Sequence, residues 1–290
     1  MADFFAALGN PAIPFLRYAL IAGILSSIAF GMVGTYVVVK RITYIAGSIA
    51  HSVLAGIGLS LYLSARHGIT WLSPLLGAVI AAVISALIIG LVSMYGKQRE
   101  DTVIGSIWAI GMGVGILLIA RTPGYKDPMT YLFGNILMIS RTELFLIGSL
   151  DLVVIILGLV FYHQFLAVSF DEEFSRVRGM KARFYYMLLL LLTALTVVLL
   201  TTIVGIVMVI ALLTLPPAVA SLFSKNLWQT MLLAGAATVV FTVVGMMISY
   251  AADTPSGSTI IIFAGIVYIV FVIMKGIIKR LRKKLKGSRI

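Results

Sequence analysis

One histidine stands out chemically. His51 lies near the middle of Arg41–Leu63, RITYIAGSIAHSVLAGIGLSLYL, which follows Lys40 and is otherwise almost wholly apolar. A helix of about 20 residues is about 30 Å long, the thickness of a bilayer's hydrocarbon core. An ionisable side chain at that depth is costly, and its presence is a functional-site hypothesis in itself. Gly47, Ser48, Ser52, Gly56 and Gly58 surround it. Such small residues let a second helix, or an ion, come close. The competing reading is a buried histidine bonded to a neighbouring helix, and this stretch alone leaves both open.

The other polar candidates are weaker. Asp151 lies two turns beyond Glu143 in an apolar run, facing either an aqueous vestibule or a packing partner. Arg141 and Glu143 read as a surface ion pair or a helix start. His67 falls in a turn, His163 at a span's inner end, and Asp253 opens a turn where its side chain bonds its own backbone. Gly90 and Gly96-Lys97 imitate a phosphate-binding loop, but the spacing is one residue too long and Gln98 replaces the required Ser or Thr. Gly111, Gly113 and Gly115 lie inside an apolar span, where helix packing explains them better than a dinucleotide fingerprint. An intramembrane enzyme would need paired catalytic groups, and only His51 is on offer. A proton-driven relay would need several buried acids. The chain therefore reads as a conduit whose energy source lies elsewhere. A stand-alone secondary transporter or channel is the alternative.

The elements that hold these residues follow from composition. Of 290 residues, 61% are hydrophobic and 11% charged, with mean hydropathy +1.12. Soluble domains carry about 25% charged residues. The reading is all-α: a polytopic membrane protein with eight to nine spans and one transmembrane domain over 1–290. Strand-length alternation is absent, which argues against a barrel. There is no cysteine, hence no disulfide or thiolate metal site. No cleavable signal peptide is evident.

Spans are expected near 15–39, 41–63, 71–95, 102–120, 143–165, 184–202, 229–250 and 260–278; a shorter apolar run, 203–215, ends at Pro216-Pro217, and 203–220 makes a ninth span if it crosses fully. From Lys275 the tail carries Lys279, Arg280, Arg282, Lys283, Lys284, Lys286 and Arg289 and no acid. After a span this is a cytoplasmic anchor at anionic membrane lipids rather than a nucleic-acid arm. Counting back with nine spans puts 221–228, 166–183, 96–101 and 40–43 inside and the N-terminus outside, so each dense basic cluster is cytoplasmic. Val219–Trp228, preceded by Pro216-Pro217, reads as a short amphipathic helix suited either to the lipid interface or to a partner's groove.

Several segments resemble one family in order. Besides the His51 stretch they are REDTVIGSIWAIGMGVGIL (99–117), YLFGNILMIS (131–140), SFDEEFSRVRGM (169–180), VGIVMVIALLTLPPAVASLFSKN (204–226) and DTPSGSTII (253–261). Together they resemble the metal-ion permease subunits of bacterial and archaeal ABC importers, the ABC-3 permeases, which handle zinc, manganese or iron(II). The likeness covers about residues 15–275. It implies a homodimer in the cell membrane with a central path, a separate ATP-hydrolysing cassette subunit beneath, and an extracellular or periplasmic metal-binding protein that delivers the ion. This chain would then be no enzyme and hold no cofactor, its divalent metal being cargo and the ATP belonging to the partner. The resemblance makes His51, with Gly47, Ser48 and Ser52, the translocation path. It makes the segment of Pro216, Pro217, Ser221, Leu222, Phe223 and Lys225 the contact with the ATPase. Many family members carry an Asp one helical turn before the histidine, where this chain has Gly47. The carboxylate is missing, and an acid elsewhere (Asp151 is the available one), a second His51 across the dimer axis, or weak binding would have to compensate.

Overall fold

Helix starts and stops in this chain are written in local chemistry. The computed structural model describes residues 14–96, 99–124, 129–134 and 139–287, together with Phe4 and Leu8. Helix α1, Pro14–Val39, opens on a proline, whose missing N–H costs nothing in a first turn. Arg41 takes a left-handed φ of 62° and turns the chain into α2, Thr43–His67. Gly68, at φ 66°, closes α2 with its N–H on the Ser64 carbonyl. In α3, Pro74–Tyr95, the Ser73 hydroxyl accepts from the Leu76 amide at 3.2 Å. Helix α4, Glu100–Ala120, begins with Glu100 and Asp101, acids that suit the positive end of its dipole.

A short α5, Met129–Phe133, precedes α6, Arg141–Val160. Glu143 has the helix-start role: its carboxylate accepts from the Ser140 amide at 2.6 Å and Ser140 Oγ accepts from the Glu143 amide at 3.3 Å. The fifth expected span is divided at Phe161, after which α7, Tyr162–Phe170, and α8, Glu172–Val177, follow. Then come α9, Ala182–Val204, α10, Ile206–Ser221, α11, Leu227–Ala252, and α12, Ser256–Gly287. Gly205, at φ 86°, parts α9 from α10. Asp253, at φ 51°, ends α11. Eight of these helices are long and apolar enough to cross a membrane, and α10 is a shorter apolar helix.

One expectation about the chain's course needs correction. Pro216 and Pro217 do not precede a new helix; they lie buried inside α10, and residues 222–226 form a turn rather than a helical piece. Neighbours accommodate the lost donors. Pro217 cannot donate to the Leu213 carbonyl, which bears instead on Gly34 of α1, where a side chain would strike it.

Two groups of helices emerge. Helices α2, α3 and α4 pack on one another, and α4 makes its main contacts only with these two. Helices α1, α6, α10, α11 and α12 form the second group, with α9 between, touching α3, α2, α10, α6 and α7. Helix α2 is the most enclosed span, 83% of its central window being buried, whereas α12 is the least, at 11%.

The basic segments gather at one end of the bundle. Lys40, after α1, donates to the Val168 carbonyl at 2.8 Å and pairs with Glu172 at 3.1 Å. Arg183 stacks on Tyr95, Tyr162 lies against Trp228, and Lys275 donates to the Leu222 carbonyl. The opposite end carries the Arg141–Tyr18 hydrogen bond, at 2.8 Å, and the Phe4–Tyr250 contact.

Candidate translocation path

Tyr44, Gly47 and His51 recur at spacings of three and four, so α2 presents them on one face. Trp108 of α4 covers that face. Its indole stacks on the His51 ring, with centroids 4.4 Å apart and planes 17° from parallel, and lies 5.7 Å from the Tyr44 ring. A Cβ placed on Gly47 would meet Trp108 Cζ3 at 3.2 Å. The indole thus fills the space into which a side chain at position 47 would project. His51 is half-buried, and its Nδ1 is enclosed without a hydrogen-bond partner.

The two serines serve the packing. Ser48 Oγ donates to the Ile104 carbonyl of α4 at 2.8 Å. Ser52 Oγ donates to the Ile49 carbonyl at 2.8 Å and accepts from Ser85 Oγ of α3 at 2.8 Å. Both are buried. Further along, a Cβ on Gly111 would stand 2.6 Å from the Ser52 Cα, and one on Gly115 would fall on the Leu54 backbone. The α2–α4 seam is therefore a ladder of contacts that admits no extra atom: Ser48 with Ile104, Gly47 and His51 with Trp108, Ser52 with Gly111, Leu54 with Gly115.

Below Tyr44, at the basic end of the bundle, a polar cavity of about 280 Å³ is lined by Lys40, Arg41, Tyr44, Glu100, Asp101 and Glu172 among others. His51, Trp108, Tyr44 and this cavity make one continuous run from the middle of α2 to that end. On the flank of α2, α3 and α4 lies an apolar groove of about 510 Å³, which Ser52, Gly56, Ile84 and Ile110 help to line.

Asp151 is not brought to His51. It is buried on α6 against α1, where the nearest amide, that of Ala29, belongs to the α1 hydrogen-bond ladder, and neither carboxylate oxygen has a hydrogen-bond partner. Among the described residues no three His, Asp or Glu side chains are grouped to hold a metal ion.

The segment after α10 is exposed in part. Pro216 and Pro217 are buried, Leu222 is half-buried, and Ser221, Phe223 and Lys225 face outward. The turn is held by Ser224 Oγ with Thr230 Oγ1 at 2.7 Å and by the Lys225 amide on Gln229 Oε1 at 3.1 Å. Phe223 meets Phe271 of α12 edge to face, at 5.2 Å, beside the Lys275 hydrogen bond. Residues 135–138 of the YLFGNILMIS block, Lys97 and Gln98 of the charge cluster, and residues 288–290 of the basic tail lie outside the described residues.

Sequence reasoning missed Trp108, Ser85 and the Lys40–Glu172 pair. The signal for Trp108 was available: of the chain's 3 tryptophans it alone stands mid-span rather than at a span end.

Comparison with known proteins gives a consistent result. The family model described as "ABC 3 transport family" matches residues 12–275. A Chlamydia trachomatis protein named "probable metal transport system membrane protein" is 37% identical over 263 residues, covering 90% of this chain and 89% of its own. The manganese transport system membrane protein MntC of Halalkalibacterium halodurans is 33% identical over 255 residues, covering 88% of this chain and 85% of its own. Among solved structures, PsaBC from Streptococcus pneumoniae in complex with Fab superimposes with a TM-score of 0.82 at 29% identity, covering 93% of this chain and 94% of that one.

Proposed function

Since the chain belongs to the ABC 3 transport family, we propose that it is the membrane permease of an ATP-driven importer of divalent transition-metal ions, and that the face of α2 bearing His51 lines the path. The observation that carries the reading is a family match over almost the whole chain, shared with relatives named for metal and manganese transport. The site supports it in chemical terms. An imidazole is a ligand for zinc, iron and other divalent metals, and half-buried His51 stands on the α2 face that leads past Tyr44 toward the polar cavity. From His51 the run past Tyr44 to the polar cavity offers carboxylates at Glu100, Asp101 and Glu172 to a cation leaving the membrane.

In this reading the end that gathers the basic segments is cytoplasmic, as the positive-inside rule requires, and the tail after Lys275 lies there at anionic lipid head groups. ATP hydrolysis belongs to a separate cassette subunit, which meets the turn after α10 through Ser221, Phe223 and Lys225. Pro216 and Pro217 act from behind, by seating the last turns of α10 against Gly34 of α1. Two copies of the chain form the path, and an external metal-binding protein supplies the ion.

The test is reconstitution in liposomes with the ATPase subunit and the binding protein, followed by uptake of radioactive manganese, zinc and iron(II). ATP-dependent accumulation of at least one is expected. His51→Ala should abolish most of it while leaving thermal stability near that of the parent. Uptake of no divalent metal by the complete complex would refute the reading.

A further inference from the structure

We propose that Trp108 determines which metal passes, by making the His51 site an imidazole site from which carboxylate is excluded. The inference rests on His51 lining the path.

Its basis is the volume over Gly47. A residue at position 47 is one turn from His51 and on the same face, so an acid there would bring its carboxylate beside the imidazole. Trp108 crowds that volume. A single Cβ at position 47 already approaches Trp108 Cζ3 to 3.2 Å and Cη2 to 3.5 Å. The indole cannot step aside by a helix shift, because α4 is pinned to α2 on both sides of it: Ser48 to the Ile104 carbonyl before it, and Gly111 against Ser52 after it.

Trp108 also sets the imidazole plane. Metal-binding histidines are usually oriented by a hydrogen bond from the second ring nitrogen. Nδ1 of His51 has no such partner, and the ring lies against the indole at 4.4 Å and 17° instead. Stacking does the orienting: with the planes 17° from parallel, the in-plane lone pair through which a neutral imidazole binds metal does not point into the indole face.

The consequence is selectivity. Divalent affinity rises from manganese through iron(II) toward copper and zinc; imidazole suits the later metals, whereas carboxylate suits manganese. A path that offers one imidazole per protomer and no adjacent carboxylate therefore favours zinc and iron(II) over manganese. Trp108 is a positioning and specificity-determining residue in this scheme.

The experiment compares manganese and zinc uptake in competition by the complete complex, for the parent, Trp108→Phe and the double variant Gly47→Asp/Trp108→Ala. The double variant restores both carboxylate and room for it. Its manganese-to-zinc ratio should rise by about tenfold or more, the change that about 1.4 kcal/mol of differential binding produces. Trp108→Phe, which keeps an aromatic face, should retain the parent ratio. An unchanged ratio in an active double variant overturns the proposal. A parent that moves no divalent metal would instead refute the transport reading beneath it. A second measurement reads the site directly: with Trp71 and Trp228 replaced by Phe, Trp108 is the sole tryptophan of the chain. Adding zinc to the complex should change its fluorescence, His51→Ala should abolish that response, and a silent signal in the parent overturns the proposal.

Discussion

Two glycines of α4, two residues apart, make opposite predictions. Gly115 faces α2, and a Cβ there would overlap the Leu54 backbone and stand 2.6 Å from its Cβ. Gly113 faces open space, with nothing within 4 Å of the same position. Replacing glycine by alanine in a helix interior stabilises by roughly 0.5–1 kcal/mol when the site is free, through lower backbone entropy in the unfolded chain. Gly113→Ala should show that gain. At Gly115 the same gain is opposed by overpacking against backbone, which cannot rotate away; such insertions cost about 1–3 kcal/mol or more. Because the entropic gain is common to both, the two variants should differ by the overpacking cost, about 1–3 kcal/mol, with Gly115→Ala the less stable. Thermal unfolding of the purified proteins in one detergent, followed by tryptophan fluorescence, measures the difference. Equal midpoints, or a lower midpoint for Gly113→Ala, would refute the close α2–α4 approach on which the path rests.

Other expectations are briefer. Asp151 has two buried oxygens without hydrogen-bond partners, so Asp151→Leu should raise the unfolding midpoint, because it removes a buried polar group; a lower midpoint together with lost uptake would instead mark Asp151 as a working carboxylate. Lys275→Met and Phe271→Ala, which free the turn after α10 from α12, should lower metal uptake per ATP hydrolysed, with Lys275→Arg restoring it; an unchanged ratio would show that α12 takes no part in coupling. Glu172→Gln removes only the ion pair with Lys40 and should cost no more than about 1 kcal/mol in thermal unfolding, whereas Lys40→Met also strips the Val168 carbonyl of its donor and should cost more.

Much of this architecture is legible in the sequence because the bilayer imposes it. Runs of about 20 apolar residues and the placement of Lys and Arg lead directly to the spans and to the end that gathers the basic segments. Local caps are equally readable, Glu143 at Ser140 and Asp253 at the end of α11 being examples. Two features are not. Pro216-Pro217 reads as a helix stop, yet α10 runs through it, with the Leu213 carbonyl and Pro217 seated against Gly34 of α1, far away in the sequence. The cover on His51 is hidden for the same reason: Gly47 signals only the absence of a side chain, and nothing in its own helix says that an indole from α4 fills the space. Contacts between helices are matched shapes, and periodicity along one helix does not report them.

The ladder between α2 and α4 has a mechanical meaning. Backbones in contact at successive turns, with serine hydroxyls spanning the seam, slide past one another only by breaking every rung at once. With α3 they pack as one group. Helices α1 and α2 barely touch beyond their connecting turn, and the second group reaches the first mainly through α9 and α10. Any movement of one group against the other that keeps this seam therefore carries His51 and Trp108 together, so that the ligand and its cover keep their geometry.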